Sequence, residues 1–183
     1  PSGDTPPVAS DLEPVEGDWE DVSAAEERFI RRYVETMTYM VYFSDDAAPG
    51  AKDPRFIMQS AVNQANSYLV SQGHLVVDAD QIERLREDQR LIYEEETGRE
   101  ISILQWVARR LNADVYIELD ARVDGRSTAG NHYGVADVTL SMFETSTGQI
   151  LGSVNRRSQE SFSRISREDA ILNAVQSTVY QAM

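Results

Sequence analysis

Between Ala113 and Glu160 two runs alternate apolar and polar side chains with a period of two. Val115, Ile117, Leu119, Ala121 and Val123 interleave with Tyr116, Glu118, Asp120 and Arg122, and Ala136, Val138, Leu140 and Met142 interleave with Asp137, Thr139 and Ser141. Two such runs predict half-buried strands with one wet face, an antiparallel meander lying on a core. A third strand is predicted from Ile150 to Val154, joined through Ser146-Thr147-Gly148, where Gly148 supplies the positive φ of a short turn. The segment from Gly125 to Gly134 reads as a polar loop holding three glycines and His132.

Upstream the period changes. Residues 23–35 read as a short helix capped by Ser23, with acids in its first turn and arginines in its last. Met37–Phe43 reads as a strand, 45–54 as a loop, and 56–69 as a helix ended by Gly73. A short strand at Leu75–Val77 precedes a helix capped by Asp80, with Glu83 reaching back. After Thr97-Gly98 comes a helix over 101–111, and a last helix opens at Ser166 with Ile171, Leu172, Val175, Val179 and Met183 as its stripe. Strand–helix–strand at the start implies a parallel pair. The expectation is an α/β (α+β) fold: a mixed sheet of about five strands, an antiparallel C-terminal meander, and helices packed on the sheet. Residues 23–183 are expected to form one domain.

Composition adds a tail. Four of the six prolines fall in residues 1–14, and residues 1–27 hold nine acidic side chains and no Lys or Arg. The rest of the chain therefore carries only −5 of the net −14. Residues 1–22 read as an acidic, Pro-rich tether, with Trp19 the residue most able to anchor it. An acidic chain lacks the basic footprint that nucleic acid or an anionic bilayer requires, so neither is expected as a partner.

The chain offers little chemistry. It has no cysteine, and His74 and His132 lack a second ligand at metal-binding spacing. Asp78, Asp80 and Glu83 miss the glycine and the bidentate glutamate of a calcium loop. No phosphate loop and no nucleophile elbow is present. Glu94–Glu96 reads as a solvated helix face, and Arg109–Arg110 and Arg156–Arg157 as salt-bridged surface. The expectation is no catalytic residue, no cofactor, no metal site and no enzyme. What remains is the wet face of the meander, where Tyr116, Glu118, Asp120 and Arg122 are the candidate partner-binding residues, the alternative being that a helix covers this face.

The run 145–155 (Thr-Ser-Thr-Gly-Gln-Ile-Leu-Gly-Ser-Val-Asn), together with Val107–Leu119, resembles bacterial outer-membrane lipoproteins related to the curli secretion lipoprotein. Their small α/β domain is similar to the N-terminal domain of the translocation protein TolB. Lipoprotein activators of penicillin-binding proteins look similar over the same span. The resemblance implies a periplasmic cell-envelope protein tethered to the outer membrane, touching the membrane only through a lipid anchor that this chain does not contain. It implies an adaptor or regulator acting by protein–protein binding to an envelope partner. The alternative is a self-associating structural or secretion-channel subunit, although the amphipathic hairpins of a secretion channel are absent from the pattern.

Overall fold

A computed structural model describes residues 37–98 and 100–183. The helix expected over 23–35, the tether at 1–22 and Trp19 lie outside the described residues. The described elements run β1 (Thr38–Phe43), α1 (Pro54–Ser71), β2 (Leu75–Val76), α2 (Ala79–Asp88), α3 (Arg90–Thr97), α4 (Ile103–Arg110), β3 (Val115–Thr128), β4 (Asn131–Glu144), β5 (Ile150–Arg157), β6 (Ser161–Ser163) and α5 (Arg167–Ala182). The fold is α/β, as the pattern implied.

The sheet order is β2-β1-β3-β4-β5, with β6 pairing on β4. β1 lies parallel to both β2 and β3, while β3, β4, β5 and β6 join antiparallel. β1 is a continuous apolar run because it is buried on both faces: Tyr39, Met40, Val41, Tyr42 and Phe43 all belong to the core. α1 and α5 cover one face, which we call inner, meeting Ile117, Leu119, Ala121, Val138 and Leu140. α2 and α4 cover the opposite, outer face over β1 and the start of β3. Over β4 and β5 the outer face carries no helix among the described residues.

Several expectations are corrected. The segment read as a polar loop is strand: β3 runs on to Thr128, β4 begins at Asn131, and Ala129-Gly130 make the turn. Gly125 and Gly134 face each other in register. Their purpose is contact with α5, since a Cβ at Gly134 would lie 2.5 Å from the Ala170 carbonyl carbon and the Ile171 nitrogen. The cap of α2 is Asp78, whose carboxylate accepts from Asp80 N and Gln81 N, not Asp80. Glu83 does not reach back; it accepts from Tyr42 Oη and pairs with Arg55, pinning α2 to β1 and α1. The single helix read over 80–97 is two, parted at Gln89. Glu96 is not merely solvated: it accepts from Trp106 Nε1 at 2.9 Å and Arg110 Nη2 at 2.5 Å. These partners hold its carboxyl below the usual value, the Arg110 bond first and the Trp106 bond second. Arg109 also departs from the reading, binding the carbonyls of Thr145 and Ser146 in the β4–β5 turn. In that turn Gly148 takes φ 72°, as expected. Ser166 caps α5 by accepting from Asp169 N.

Candidate functional site

Register orders the outer face of the meander into rows that cross β3, β4 and β5. The first row is Tyr116, Phe143 and Ile150; the second Glu118, Ser141 and Ser153; the third Asp120, Thr139 and Asn155; the fourth Arg122, Asp137 and Arg157. Further along, Arg126 and Tyr133 form another row with Phe162 of β6.

The rows differ in cover. Tyr116 is 4% exposed, which corrects its assignment to the wet face. Its ring stacks on Phe143 at 4.9 Å, and the start of α4 lies over it, with Ser102 hydrogen-bonded to its hydroxyl. Burial pushes its phenol up from the ordinary value, against the Ser102 bond. The parity of the strand identified the face, but not how far the crossover helices extend over it. Glu118 is half-buried beside this row, and burial first, then the Asp120 charge, raises its carboxyl. No basic side chain stands in its row to offset that cost.

Asp120 and Arg122 are exposed, as expected. Their rows are held by light polar ties: Asn155 Nδ2 donates to Thr139 Oγ1 at 2.8 Å, and the Ser141 and Ser153 hydroxyls meet at 3.2 Å. Arg157 Nε lies 3.9 Å from Asp137 Oδ1, a loose surface pair. Of the four candidates the structure brings Glu118, Asp120 and Arg122 onto one open patch and places Tyr116 in its buried border. Sequence reasoning missed Asn155 and Arg157 because β5 was read as ending at Val154, and it missed Ser153 because the candidate face was drawn on the first two strands alone. The alternation of Ser153, Asn155 and Arg157 across from Ser141, Thr139 and Asp137 was the available signal.

The arrangement presents charge and hydrogen bonds on a rigid sheet, without reactive geometry. Among the described residues no group of three His, Cys, Asp or Glu could hold a metal. Ser127 Oγ and His132 Nδ1 approach to 2.7 Å, an exposed contact at the β3–β4 hairpin tip. His74 lies against Tyr39 at 5.0 Å, on the opposite face. No helix among the described residues is long and apolar enough to cross a membrane.

The inner face ends in a groove of about 600 Å³ beside β5, lined by Tyr68, Leu140, Met142, Gly152, Val154 and Met183 among others. β5 forms the rim, and Ile150 and Leu151 are each 54% exposed.

No family model matches the sequence, and no curated protein does. Solved structures do. The chain is similar to lipoprotein GNA1162 from Neisseria meningitidis at 11% identity and TM-score 0.53, over 79% of this chain and 96% of that one. It is similar to the PelC dodecamer from Paraburkholderia phytofirmans at 16% identity and TM-score 0.49, over 81% and 86%. The LpoB C-terminal domain from Salmonella enterica follows at 13% identity and TM-score 0.40, over 78% and 99%. At such identities the likeness to GNA1162 is one of fold, and the fold is one that a bacterial lipoprotein uses.

Proposed function

We propose that this chain is the folded part of a bacterial cell-envelope protein, lipoprotein-derived and periplasmic, that works without catalysis as an adaptor or regulator. In this reading the domain is TolB N-terminal-like, related to curli-secretion and penicillin-binding-protein-activator lipoproteins, and residues 1–22 tether it to the outer membrane. The observation that carries the reading is the open patch of Glu118, Asp120, Arg122, Asp137 and Arg157 over β3, β4 and β5. An antiparallel sheet can leave one face in water, and a rigid open face carrying mixed charge with arginine suits a protein partner. The shared fold with a lipoprotein supports the envelope setting.

The test is capture from envelope extract of the source bacterium, comparing the wild-type chain with Asp120→Lys/Arg122→Glu. The double variant should lose the captured protein while its melting temperature stays within about a degree or two, because both side chains are exposed. Equal capture by the two proteins refutes the patch. The alternative, an oligomeric structural or secretion-channel subunit, draws on one observation: the apolar Ile150 and Leu151 exposed on an edge strand.

A further inference from the structure

β5 is the last strand of the sheet, and no described strand pairs with its far side. The direction of its backbone groups follows from one bond. Ser158 N donates to Ala136 O at 2.7 Å, and the register keeps the same offset from Ala136–Ser158 back to Met142–Gly152. Hydrogen-bonded and non-bonded pairs alternate in an antiparallel ladder. Gly152, Val154 and Arg156 therefore bond to β4, while the N–H and C=O groups of Ser153, Asn155 and Arg157 point outward from the sheet.

Side chains alternate in step. Those of Val154 and Arg156 point to the inner face, opposite Leu140 and Val138, and Gly152 lies opposite Met142. A Cβ built on Gly152 would meet nothing within 4 Å, so the groove is open there. Val154, 37% exposed, walls the same space. At the other end Arg156 makes no ion pair among the described residues, and Arg157 has only its loose contact with Asp137. Natural edges are guarded by charges, bulges or prolines. Here the bulge lies at Met142/Phe143 and the charges at 156–157, leaving Gly152–Asn155 unguarded between them.

We propose that the free edge of β5 takes an extended, antiparallel peptide strand with apolar side chains opposite Gly152 and Val154 and acidic ones opposite Arg156 and Arg157. Main-chain bonds to Ser153, Asn155 and Arg157 supply attachment, and the groove and the arginines supply selectivity. The residue opposite Gly152 fills the open space beside Met142. The residue opposite Val154 extends the row Leu119, Leu140, Val154 by one position. This surface meets the outer patch only at Arg157, since residues 152, 154 and 156 face the other way.

The probe is a fluorescein-labelled peptide, acetyl-Glu-Glu-Thr-Val-Thr-Leu-Thr-amide, whose order follows from antiparallel pairing. Its control carries two lysines in place of the glutamates. Anisotropy is read with the full chain at 0.15 M salt. The acidic peptide should bind saturably, at least about tenfold tighter than the lysine peptide, the ratio that 1.4 kcal/mol gives. The chain's net charge of −14 opposes this preference, so it reports the local arginines. Ser153→Pro removes an outward N–H without touching the β4 ladder, a substitution that edge strands tolerate. It should abolish binding of the acidic peptide. Arg156→Glu is an exposed change that keeps the fold, and it should reverse the preference toward the lysine peptide. No saturation below about 1 mM protein, equal binding of the two peptides, or an unreversed preference in Arg156→Glu overturns the proposal. Because the outer-patch variant Asp120→Lys/Arg122→Glu should bind the peptide as the wild type does, failure here and failure of the adaptor reading are separate results.

Discussion

Tyr116 and Arg122 lie six residues apart on one strand and one face, yet their surroundings are opposite. Tyr116 is packed between Phe143 and the start of α4, whereas Arg122 stands in water beside Asp137. Tyr116→Ala should therefore cost about 3–5 kcal/mol, in the range of buried aromatic truncations, and Arg122→Ala less than about 0.5 kcal/mol. Urea denaturation of the two variants checks this; similar midpoints would mean that α4 does not cover the first row. Between them Glu118 is strained by its setting. Its carboxyl is raised by burial and by Asp120, so the folded state holds the proton more strongly than the unfolded chain does. Ionised Glu118 then weakens the fold above its folded pKa, and that loss is recovered as pH falls toward the unfolded value. Glu118→Gln should melt higher than wild type at pH 7–8, with the gap closing toward pH 4. A gap that widens on acidification would contradict the sign.

At the scale of elements, legibility followed the source of the signal. β3 and β4 were readable in their middles because one face packs on α1 and α5, which forces strict alternation. Their tips were not, because Gly125 and Gly134 look like loop residues in sequence. Only the closeness of α5 explains them. β6 is three residues long and too short for any period. The break at Gln89 leaves no Gly or Pro to announce it, and α3 buries no residue fully. The end of β5 was lost because all eight of its residues are exposed, so burial imposes no pattern. That exposure makes a prediction for hydrogen exchange. Amides of Gly152, Val154 and Arg156, bonded to β4, should exchange slowly, and those of Ser153, Asn155 and Arg157 quickly. The core strand β1 should be slowest of all. Uniform protection along β5 would mean that something already pairs with its edge.

Among the described residues the sheet is covered by helices on its inner face up to the groove beside β5 and half-covered on its outer face. Both open regions lie at the same end of the strand order. Such a design leaves two ways to assemble: recognition of a different protein, or pairing of copies through the β5 edge. Self-pairing of β5 antiparallel about Val154, with the outward groups of Ser153 and Asn155 bonded to each other, would set Leu151 opposite Arg157 at both ends, joining an apolar to a charged side chain. That mismatch disfavours a symmetric edge dimer. The net charge of −14 adds repulsion between copies, screened within about 8 Å at physiological salt. Light scattering on the full chain at 0.15 M salt and again at 0.5 M should therefore return the mass of one copy at both. A larger mass at both salts that Ser153→Pro reduces to one copy would favour the structural-subunit reading and put its joint at the β5 edge. A larger mass that survives Ser153→Pro would move the joint elsewhere, to the outer patch, where Asp120→Lys/Arg122→Glu is the variant that should dissolve it.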